Sequence, residues 1–282
     1  MYKNIVPLLT LNNGNKIPQI GYGTYQCKGK ELKEGIKYAI QVGYTHIDSA
    51  SYYKNGQDIR VPQREDFFIT SKIAPQEQGY ENTIQACKKI LQDLDTKYLD
   101  LLLIHWPGAL GCKPNSPDNA TIRLQTYKAL EQLFQEGLIK NIGVSNFLKH
   151  HLEHLLQYCR IKPAINQIEV HPLCWDQPTI QFCQQQNILI EAYSPIARND
   201  PKLIQNKNMI ELSKKYNKTV AQISLRWALQ KGYIVLPKSK TPKYIKENIE
   251  IFDIQISEED IKIIDNLNQN YHTCWDPSTI TY

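Results

Sequence analysis

The sequence predicts an α/β protein folded as a single (β/α)8 TIM barrel, and three observations lead to this prediction. Short apolar runs alternate with amphipathic stretches along the chain. The chain has 282 residues, which suits a barrel of about 250 residues. No low-complexity or Pro/Gly/Ser-rich segment divides it, so we expect one domain over residues 1–282. An open, doubly wound sheet is the alternative, but no G-x-G-x-x-G motif follows an apolar run.

Apolar runs followed by polar, Gly or Pro residues are the predicted strands of the barrel. Such short runs are typical of parallel strands that are buried on both faces. The predicted strands are residues 20–22, 46–50, 67–71, 100–105, 141–145, 164–170, 189–194 and 234–238. Ahead of them, residues 8–17 predict a short N-terminal β-hairpin that turns at Asn13 and Gly14.

Apolar residues at helical spacing predict the outer helices. The clearest repeats are Leu32, Ile36, Ala39 and Ile40; Ile84, Cys87, Leu91 and Leu94; Tyr127, Leu130, Leu133 and Phe134; and residues 220–229. Because eight predicted strands alternate with these helices, a closed barrel is favoured over the open, doubly wound sheet.

Composition excludes several classes of function. The formal net charge of +5 is mild and there is no Lys/Arg run, so we expect no nucleic-acid partner. The 7 cysteines are scattered without a C-x-x-C pair, which indicates reduced thiols and no zinc site. Residues 1–7 lack the apolar run of a signal peptide, and no stretch reaches transmembrane length. We therefore expect a cytoplasmic protein without a membrane partner.

Four residues that can transfer protons lie at or near consecutive strand ends. Asp48 ends the second predicted strand and Tyr53 follows it, while Lys72 and His105 end the third and fourth. Because active sites of such barrels form at the carboxyl ends of the strands, these side chains should converge. A free tyrosine has a pKa of about 10, so we expect the Lys72 ammonium to lower that of Tyr53 and Asp48 to hold the lysine. His105 can orient and polarise a carbonyl oxygen.

Each of these residues alone has an ordinary structural explanation, but their joint occurrence favours a proton-transfer site. Over nearly its whole length the sequence also resembles the aldo-keto reductase superfamily. The matching stretches are residues 21–25 (GYGTY), 46–50 (HIDSA) with Tyr53, 69–72 (ITSK), 101–107 (LLLIHWP), 142–147 (IGVSNF), 166–172 (NQIEVHP), 191–195 (EAYSP) and 236–239 (LPKS). The resemblance implies NADPH-dependent reduction of aldehydes or ketones, with Asp48, Tyr53, Lys72 and His105 as the catalytic tetrad and Tyr53 as the general acid.

The resemblance also implies a binding site for NADPH. Its residues would be Gly23, Thr24, Tyr25, Asp48, Ser145, Asn146, Gln167, Tyr193, Ser194, Lys238, Ser239, Glu247 and Asn248. Within this set, Ser145, Asn146 and Gln167 would hold the nicotinamide amide, which needs donors and acceptors. The ring would stack on Tyr193. A cation and a hydroxyl suit a phosphate monoester, so Lys238 and Ser239 would bind the adenosine 2′-phosphate.

A small carbonyl substrate would contact Tyr53, His105 and Trp106. Trp275 either borders the same apolar pocket or simply packs the tail against the barrel. No metal is implied, because the histidines lack ligand spacing and the tetrad makes a metal unnecessary.

Two departures from the family pattern qualify this interpretation. The family's long second outer helix is truncated here, because residues 54–60 run directly into 61–66. We expect a protein partner or a neighbouring segment to cover the wall that is left. Tyr244 also stands where the family often has an arginine that clamps the 2′-phosphate. The truncated helix motivates an alternative function, a non-catalytic barrel with a structural or binding role in an assembly.

Overall fold

Parallel strands β3 to β10 form a nearly closed barrel in the computed structural model, which describes residues 6–282. The strands are β1 Leu8–Thr10, β2 Lys16–Pro18, β3 Tyr22–Gly23, β4 His46–Asp48, β5 Phe68–Ile73, β6 Leu101–Ile104, β7 Ile142–Ser145, β8 Ile165–Glu169, β9 Leu189–Tyr193 and β10 Ile234–Leu236. From β3 to β10, each strand pairs with the next in the chain. Ile20 bridges Val235 in parallel, and this bridge joins the two ends of the sheet. The predicted TIM barrel is therefore confirmed.

The predicted hairpin is also present and covers one end of the barrel. Strands β1 and β2 pair antiparallel, with Leu9 opposite Ile17. Ile17 and Leu11 are buried in a cluster with Leu103 and Ile165. Because part of this cluster comes from the first residues of barrel strands, the hairpin closes the amino-terminal end and leaves the carboxyl end open. Residues 1–5, which belong to the segment expected to lack a signal peptide, lie outside the described residues.

Amphipathic helices surround the strands. They are α1 Gly29–Gln41, α2 Tyr80–Leu94, α3 Asp118–Gln135, α4 Lys149–Tyr158, α5 Gln177–Gln185, α6 Pro201–Ile204, α7 Lys207–Tyr216, α8 Val220–Gln230, α9 Pro242–Ile249 and α10 Glu258–Asp265. Helix α1 buries Leu32, Ile36 and Ala39, the face that its sequence repeat predicts. Across residues 6–282, none of the helices has both the length and the apolar character needed to cross a membrane.

The connection from β4 to β5 contains three 3-10 turns, at Ser51–Tyr53, Gly56–Asp58 and Arg64–Asp66, and no α-helix within its described residues. The expected truncation of the second outer helix is thus confirmed. Ile59 is buried in the core at this point. The Asp58 carboxylate accepts the Gly29 N–H at 2.7 Å, and Arg60 donates to the Asp93 carbonyl at 3.2 Å. The short connection is therefore fastened to both α1 and α2, and this segment of the chain itself covers the wall.

Candidate active site

A buried lysine–aspartate pair lies at the carboxyl end of the barrel. Asp48 is the last residue of β4, and Lys72 is on the neighbouring strand β5. The Lys72 Nζ donates to the two Asp48 carboxylate oxygens at 2.6 and 2.7 Å and to the Ser49 carbonyl at 2.8 Å. Lys72 is 0% exposed and Asp48 is 4% exposed. Three acceptors satisfy the ammonium, which is the condition for keeping a charged lysine buried.

Tyr53 joins this pair despite the short connection that follows it. Its ring centroid lies 5.2 Å from the Lys72 Nζ and 5.8 Å from the centroid of His105. The turn is held in place by Asn55, whose amide donates to the Thr24 and Cys27 carbonyls at 3.0 Å each. Because Asn55 anchors the loop, the truncation does not turn Tyr53 out of the mouth. The four residues predicted from the strand ends therefore converge.

The pKa of Tyr53 is higher than the sequence led us to expect. Burial raises the pKa of Tyr53 to about 12; Lys72 lowers it, as expected, but does not outweigh burial and the charge of Asp48. The expected lowering by Lys72 is therefore present, but burial determines the net shift of the Tyr53 pKa. Burial opposes the charge of Lys72, but Asp48 raises the pKa of the lysine above its ordinary value. Burial and Lys72 lower the pKa of His105 to about 3, so its imidazole is neutral. At neutral pH the site thus contains a protonated phenol, an ammonium and a neutral imidazole.

A group of amide and hydroxyl side chains lies on the neighbouring strands. The Ser145 hydroxyl donates to the Gln167 carbonyl at 2.8 Å. The Asn146 amide donates to the His105 carbonyl at 2.9 Å, and its oxygen accepts from the Tyr193 hydroxyl at 2.7 Å. Asn146 has a φ of 64°, in the left-handed region that asparagine tolerates better than most residues. The predicted amide-binding residues and Tyr193 are therefore brought together beside the tetrad.

Several of the expected cofactor-binding residues lie at the carboxyl ends of the first and seventh barrel strands, β3 and β9. The Thr24 hydroxyl donates to the Asp48 carbonyl at 2.9 Å, and the Gly23 N–H donates to the Pro237 carbonyl at 3.1 Å. Tyr25 is partly exposed, and its ring lies 5.1 Å from that of Tyr53. Ser194 lies 3.4 Å from the sulfur of Cys274 through its Oγ. Gly23 and Thr24 are buried, whereas Tyr25 and Ser194 are at least partly accessible.

The expected adenosine end lies between α1 and the loop after β10. A cavity of about 440 Å³ there is lined by Lys30, Glu31, Glu34, Gly35, Lys240 and Pro242. Lys238 and Ser239 precede it, and the Ser239 hydroxyl accepts the Thr241 N–H at 3.1 Å. Tyr244 is exposed. Glu247 accepts a hydrogen bond from the Thr219 hydroxyl at 2.8 Å, so in this structure its carboxylate faces the start of α8.

Comparison with known proteins decides the family. The Aldo/keto reductase family model matches residues 19–269. The chain belongs to the aldo/keto reductase family. Glyoxal reductase of Bacillus subtilis is 40% identical over 96% of this chain and 96% of that protein. The 9,11-endoperoxide prostaglandin H2 reductase of Trypanosoma cruzi is 39% identical over 95% of this chain and 94% of that protein.

Solved structures agree with this assignment. An aldo-keto reductase enzyme from a Medee basin deep-sea metagenome library has a TM-score of 0.88 at 36% identity, covering 97% of this chain and 100% of that one. An aldo-keto reductase of Bombyx mori, in complex with NADP, has a TM-score of 0.88 at 31% identity, covering 98% of this chain and 97% of that one. The protein is therefore an oxidoreductase with the barrel of this family.

The C-terminal tail of this aldo/keto reductase is anchored at the mouth by Glu169. The Glu169 carboxylate accepts the Thr273 N–H at 2.8 Å and lies 3.0 Å from the His272 Nδ1. The tail then places the Trp275 ring 6.2 Å from that of Trp106, in an edge-to-face contact. Trp275 remains exposed. The two tryptophans are thus in contact next to His105, and that Trp275 borders a substrate pocket stays a prediction.

Sequence reasoning missed several residues of this aldo/keto reductase that the fold assembles from distant segments. Glu169, Cys174 and His272 offer ligand atoms within 4.8 Å of one another, a group that no sequence spacing reveals. The carboxylate of this group is occupied by hydrogen bonds to the tail, and burial raises the pKa of the Cys174 thiol to about 12, which disfavours a thiolate ligand. That the protein binds no metal stays a prediction. Asn55 and Glu191 were also missed: Asn55 lies outside the matching stretches, and Glu191, although it begins the stretch 191–195, was assigned no role.

Proposed function

We propose that this protein is an NADPH-dependent reductase of aldehydes or ketones. The observation that carries the proposal is the convergence of Asp48, Tyr53, Lys72 and His105 at the mouth. Beside them lie the amide-binding candidates Ser145, Asn146 and Gln167 with the ring of Tyr193. A purely structural barrel has no physical need for a buried ammonium next to a phenol and a neutral imidazole. The non-catalytic alternative is therefore less well supported.

The residues present fit a nicotinamide dinucleotide phosphate. No described protein group donates to the Gln167 Oε1, so an acceptor is left for a carboxamide N–H. Lys238 and Ser239 offer a cation and a hydroxyl for the 2′-phosphate, and the cavity beside them adds Lys240. When bound, NADPH supplies the hydride. The NADP bound in the related structure from Bombyx mori supports the same cofactor here.

The chain's own residues would supply the proton and the orientation. Tyr53 keeps its proton throughout the neutral range, because its pKa is raised to about 12. It donates this proton to the carbonyl oxygen as that oxygen becomes an alkoxide, and the product is the alcohol. The Lys72 ammonium stabilises the phenolate that Tyr53 becomes, and Asp48 holds the ammonium in position. Neutral His105 can donate a hydrogen bond to the same oxygen and so orient the substrate.

The substrate class is a small carbonyl compound. The apolar wall of Trp106 and Trp275 fits the carbon part of such a substrate, which Tyr53 and His105 would contact through oxygen. The name of one relative, glyoxal reductase, supports reduction of a small carbonyl compound.

We also propose that residues 1–282 form a single domain and that the protein is located in the cytoplasm.

A reductase assay tests the proposal. NADPH would be mixed with a panel that contains glyoxal, aromatic and aliphatic aldehydes, and ketones, and both cofactor oxidation and alcohol formation would be measured. We expect one alcohol formed per NADPH oxidised for at least one aldehyde. NADPH binding without turnover on the whole panel would favour the non-catalytic alternative, and absence of NADPH binding would contradict the proposed reductase.

A further inference from the structure

A carboxyl group that the proposed mechanism does not use lies inside the barrel. Glu191 on β9 is 0% exposed. Its Oε2 accepts from the Gln167 Nε2 at 2.7 Å, and the same nitrogen donates to the Asp48 Oδ2 at 2.9 Å. Gln167 and Glu191 are paired residues of adjacent strands, whereas Asp48 comes from β4, on another part of the barrel wall. The three side chains therefore form a bridge across the barrel interior, directly below the mouth.

The bridge determines which way the Gln167 amide points. Both hydrogens of its nitrogen are used, one by Asp48 and one by Glu191. The opposite orientation would place the amide oxygen against the Asp48 carboxylate, which is an acceptor, and would lose the hydrogen bond between Gln167 and Asp48. The oxygen is therefore the atom without a partner among residues 6–282, and it is the atom that a bound group at the mouth would meet.

The charges around Glu191 suit this arrangement. Lys72, Asp48 and His46 are the ionisable groups nearest to it, and the His46 Nε2 lies 3.7 Å from its free oxygen. Burial and Asp48 raise the pKa of Glu191 to about 8, against the opposing effects of Gln167 and Lys72. Burial lowers the pKa of His46 to about 3, so that ring is neutral. Near neutral pH, Glu191 is thus mostly protonated and can still accept through its carbonyl oxygen, while Asp48 alone balances the charge of Lys72.

We propose that Glu191 is a positioning residue, which holds the Gln167 amide so that its oxygen accepts a hydrogen bond from the carboxamide N–H of the nicotinamide. The proposal rests on the proposed function, because it requires a nicotinamide cofactor at Gln167. Removing the acceptor at position 191 leaves the amide nitrogen held by Asp48 alone, so the amide is fixed by one hydrogen bond and can swing about it. The cofactor then loses a fixed acceptor, although nothing at the adenosine end changes.

Three probe molecules separate this role from a general structural one. NADP⁺ carries the carboxamide; its 3-acetylpyridine analogue replaces the amide nitrogen with a methyl group; and 2′-phospho-ADP-ribose lacks the nicotinamide. Dissociation constants of all three would be measured by calorimetry for the wild type and for Glu191→Leu, Glu191→Met and Glu191→Gln. Leucine and methionine have about the size of glutamate but no carboxyl acceptor. Either variant can serve for the test, provided that it folds. Glutamine is the matched variant that keeps an acceptor oxygen.

We expect the wild type to bind NADP⁺ about fivefold more tightly than the acetylpyridine analogue, the value of one neutral hydrogen bond. Glu191→Leu or Glu191→Met should lose this preference and bind 2′-phospho-ADP-ribose like the wild type, and Glu191→Gln should keep the preference. A preference that survives in the apolar variants, or a loss that extends equally to 2′-phospho-ADP-ribose, would overturn the positioning role while leaving wild-type carbonyl reduction intact. If the wild type bound neither NADP⁺ nor 2′-phospho-ADP-ribose, the proposed function itself would fail.

Discussion

Two lysine–carboxylate pairs lie at the two ends of the proposed cofactor groove, and they differ in burial more than in length. Lys72 and Asp48 are 2.6 Å apart, with side chains 0% and 6% exposed. Lys240 and Glu31 are 2.8 Å apart, with side chains 42% and 46% exposed. Water and salt screen the second pair, whereas the first is fixed by the strands and by the Ser49 carbonyl. An ammonium and a carboxylate therefore form a fixed pair at the catalytic end and a screened, exchangeable pair at the adenosine end.

Substituting either residue of the buried pair should cost much stability, whereas the exposed lysine can change its partner at little cost in free energy. Removing one partner of a buried pair leaves an uncompensated charge, which costs roughly 3–5 kcal/mol. An exposed lysine can instead leave its carboxylate for a phosphate group with little loss. A third pair, Glu169 and His272 in the tail anchor, is intermediate, with side chains 3% and 21% exposed. The effects of substitutions should follow this order of burial.

The largest effect is expected for Lys72→Met. The variant removes the charge that stabilises the Tyr53 phenolate, so carbonyl turnover should fall by about 10²–10⁴-fold. It also leaves Asp48 without its cation, and the melting temperature should fall. Steady-state turnover and thermal unfolding measure the two effects. Lys240→Met is the matched control, and equal losses in both variants would refute the distinction between the buried and the exposed pair.

Lys238→Ala should have the next largest effect. If its ammonium contacts the 2′-phosphate, the variant should bind NADPH about 10- to 100-fold more weakly, because charged hydrogen bonds contribute roughly 1.5–3 kcal/mol. Binding of NADH, which has no 2′-phosphate, should change little. Fluorescence titrations of both cofactors at several salt concentrations check this. Equal weakening of NADPH and NADH would show that the 2′-phosphate is bound elsewhere.

The tail anchor should give a smaller effect that depends on pH. Glu169 raises the pKa of His272 above its ordinary value, so the charged pair is more stable in the folded protein. This stabilisation is present in full below about pH 6.5 and is lost as the pH rises through the raised value. His272→Gln should therefore lower the unfolding free energy by about 1 kcal/mol near pH 6 and by less near pH 9. Chemical denaturation at both pH values measures it, and a larger loss at pH 9 would contradict the ion pair.

The smallest effect is expected for Lys240→Ala. Its ammonium is exposed and already paired with Glu31, so the variant should weaken NADPH binding by less than about fivefold. The difference should disappear as salt is raised, since exposed charges are screened. A loss as large as that of Lys238→Ala would mean that the surface pair, not Lys238, determines cofactor preference.

The sequence was sufficient to predict the parts of the molecule that rest on local patterns. The hairpin at Asn13 and Gly14, the truncated second helix and the order of the strands follow from periodicity and from family motifs, and the structure agrees. The strand bounds differ, most of all for the first barrel strand, which is Tyr22–Gly23 and was predicted at residues 20–22. The four tetrad residues were found because each lies at or just after a strand end, and parallel strands bring such ends together.

Features that depend on three-dimensional contact could not be predicted in the same way. Glu191 and Asp48 accept hydrogen bonds from the same Gln167 nitrogen only because all three side chains project into the barrel interior. The two carboxyl residues lie 143 positions apart in the chain. The sign of the Tyr53 pKa shift depends on how deeply the ring is buried, which no spacing of Lys72 reveals. The tail anchor likewise joins Glu169 to residues about a hundred positions later in the chain.

The central claim is that Tyr53 supplies the proton at a site that binds NADPH independently of that proton. Tyr53→Phe removes only the hydroxyl and keeps the ring between Tyr25 and His105. Turnover with the best aldehyde of the panel and the NADPH dissociation constant, measured on the same preparation of each form, test it most directly. We expect turnover to fall by at least about 10²-fold while the dissociation constant changes less than about threefold. Turnover near that of the wild type, with cofactor binding unchanged, would contradict the claim.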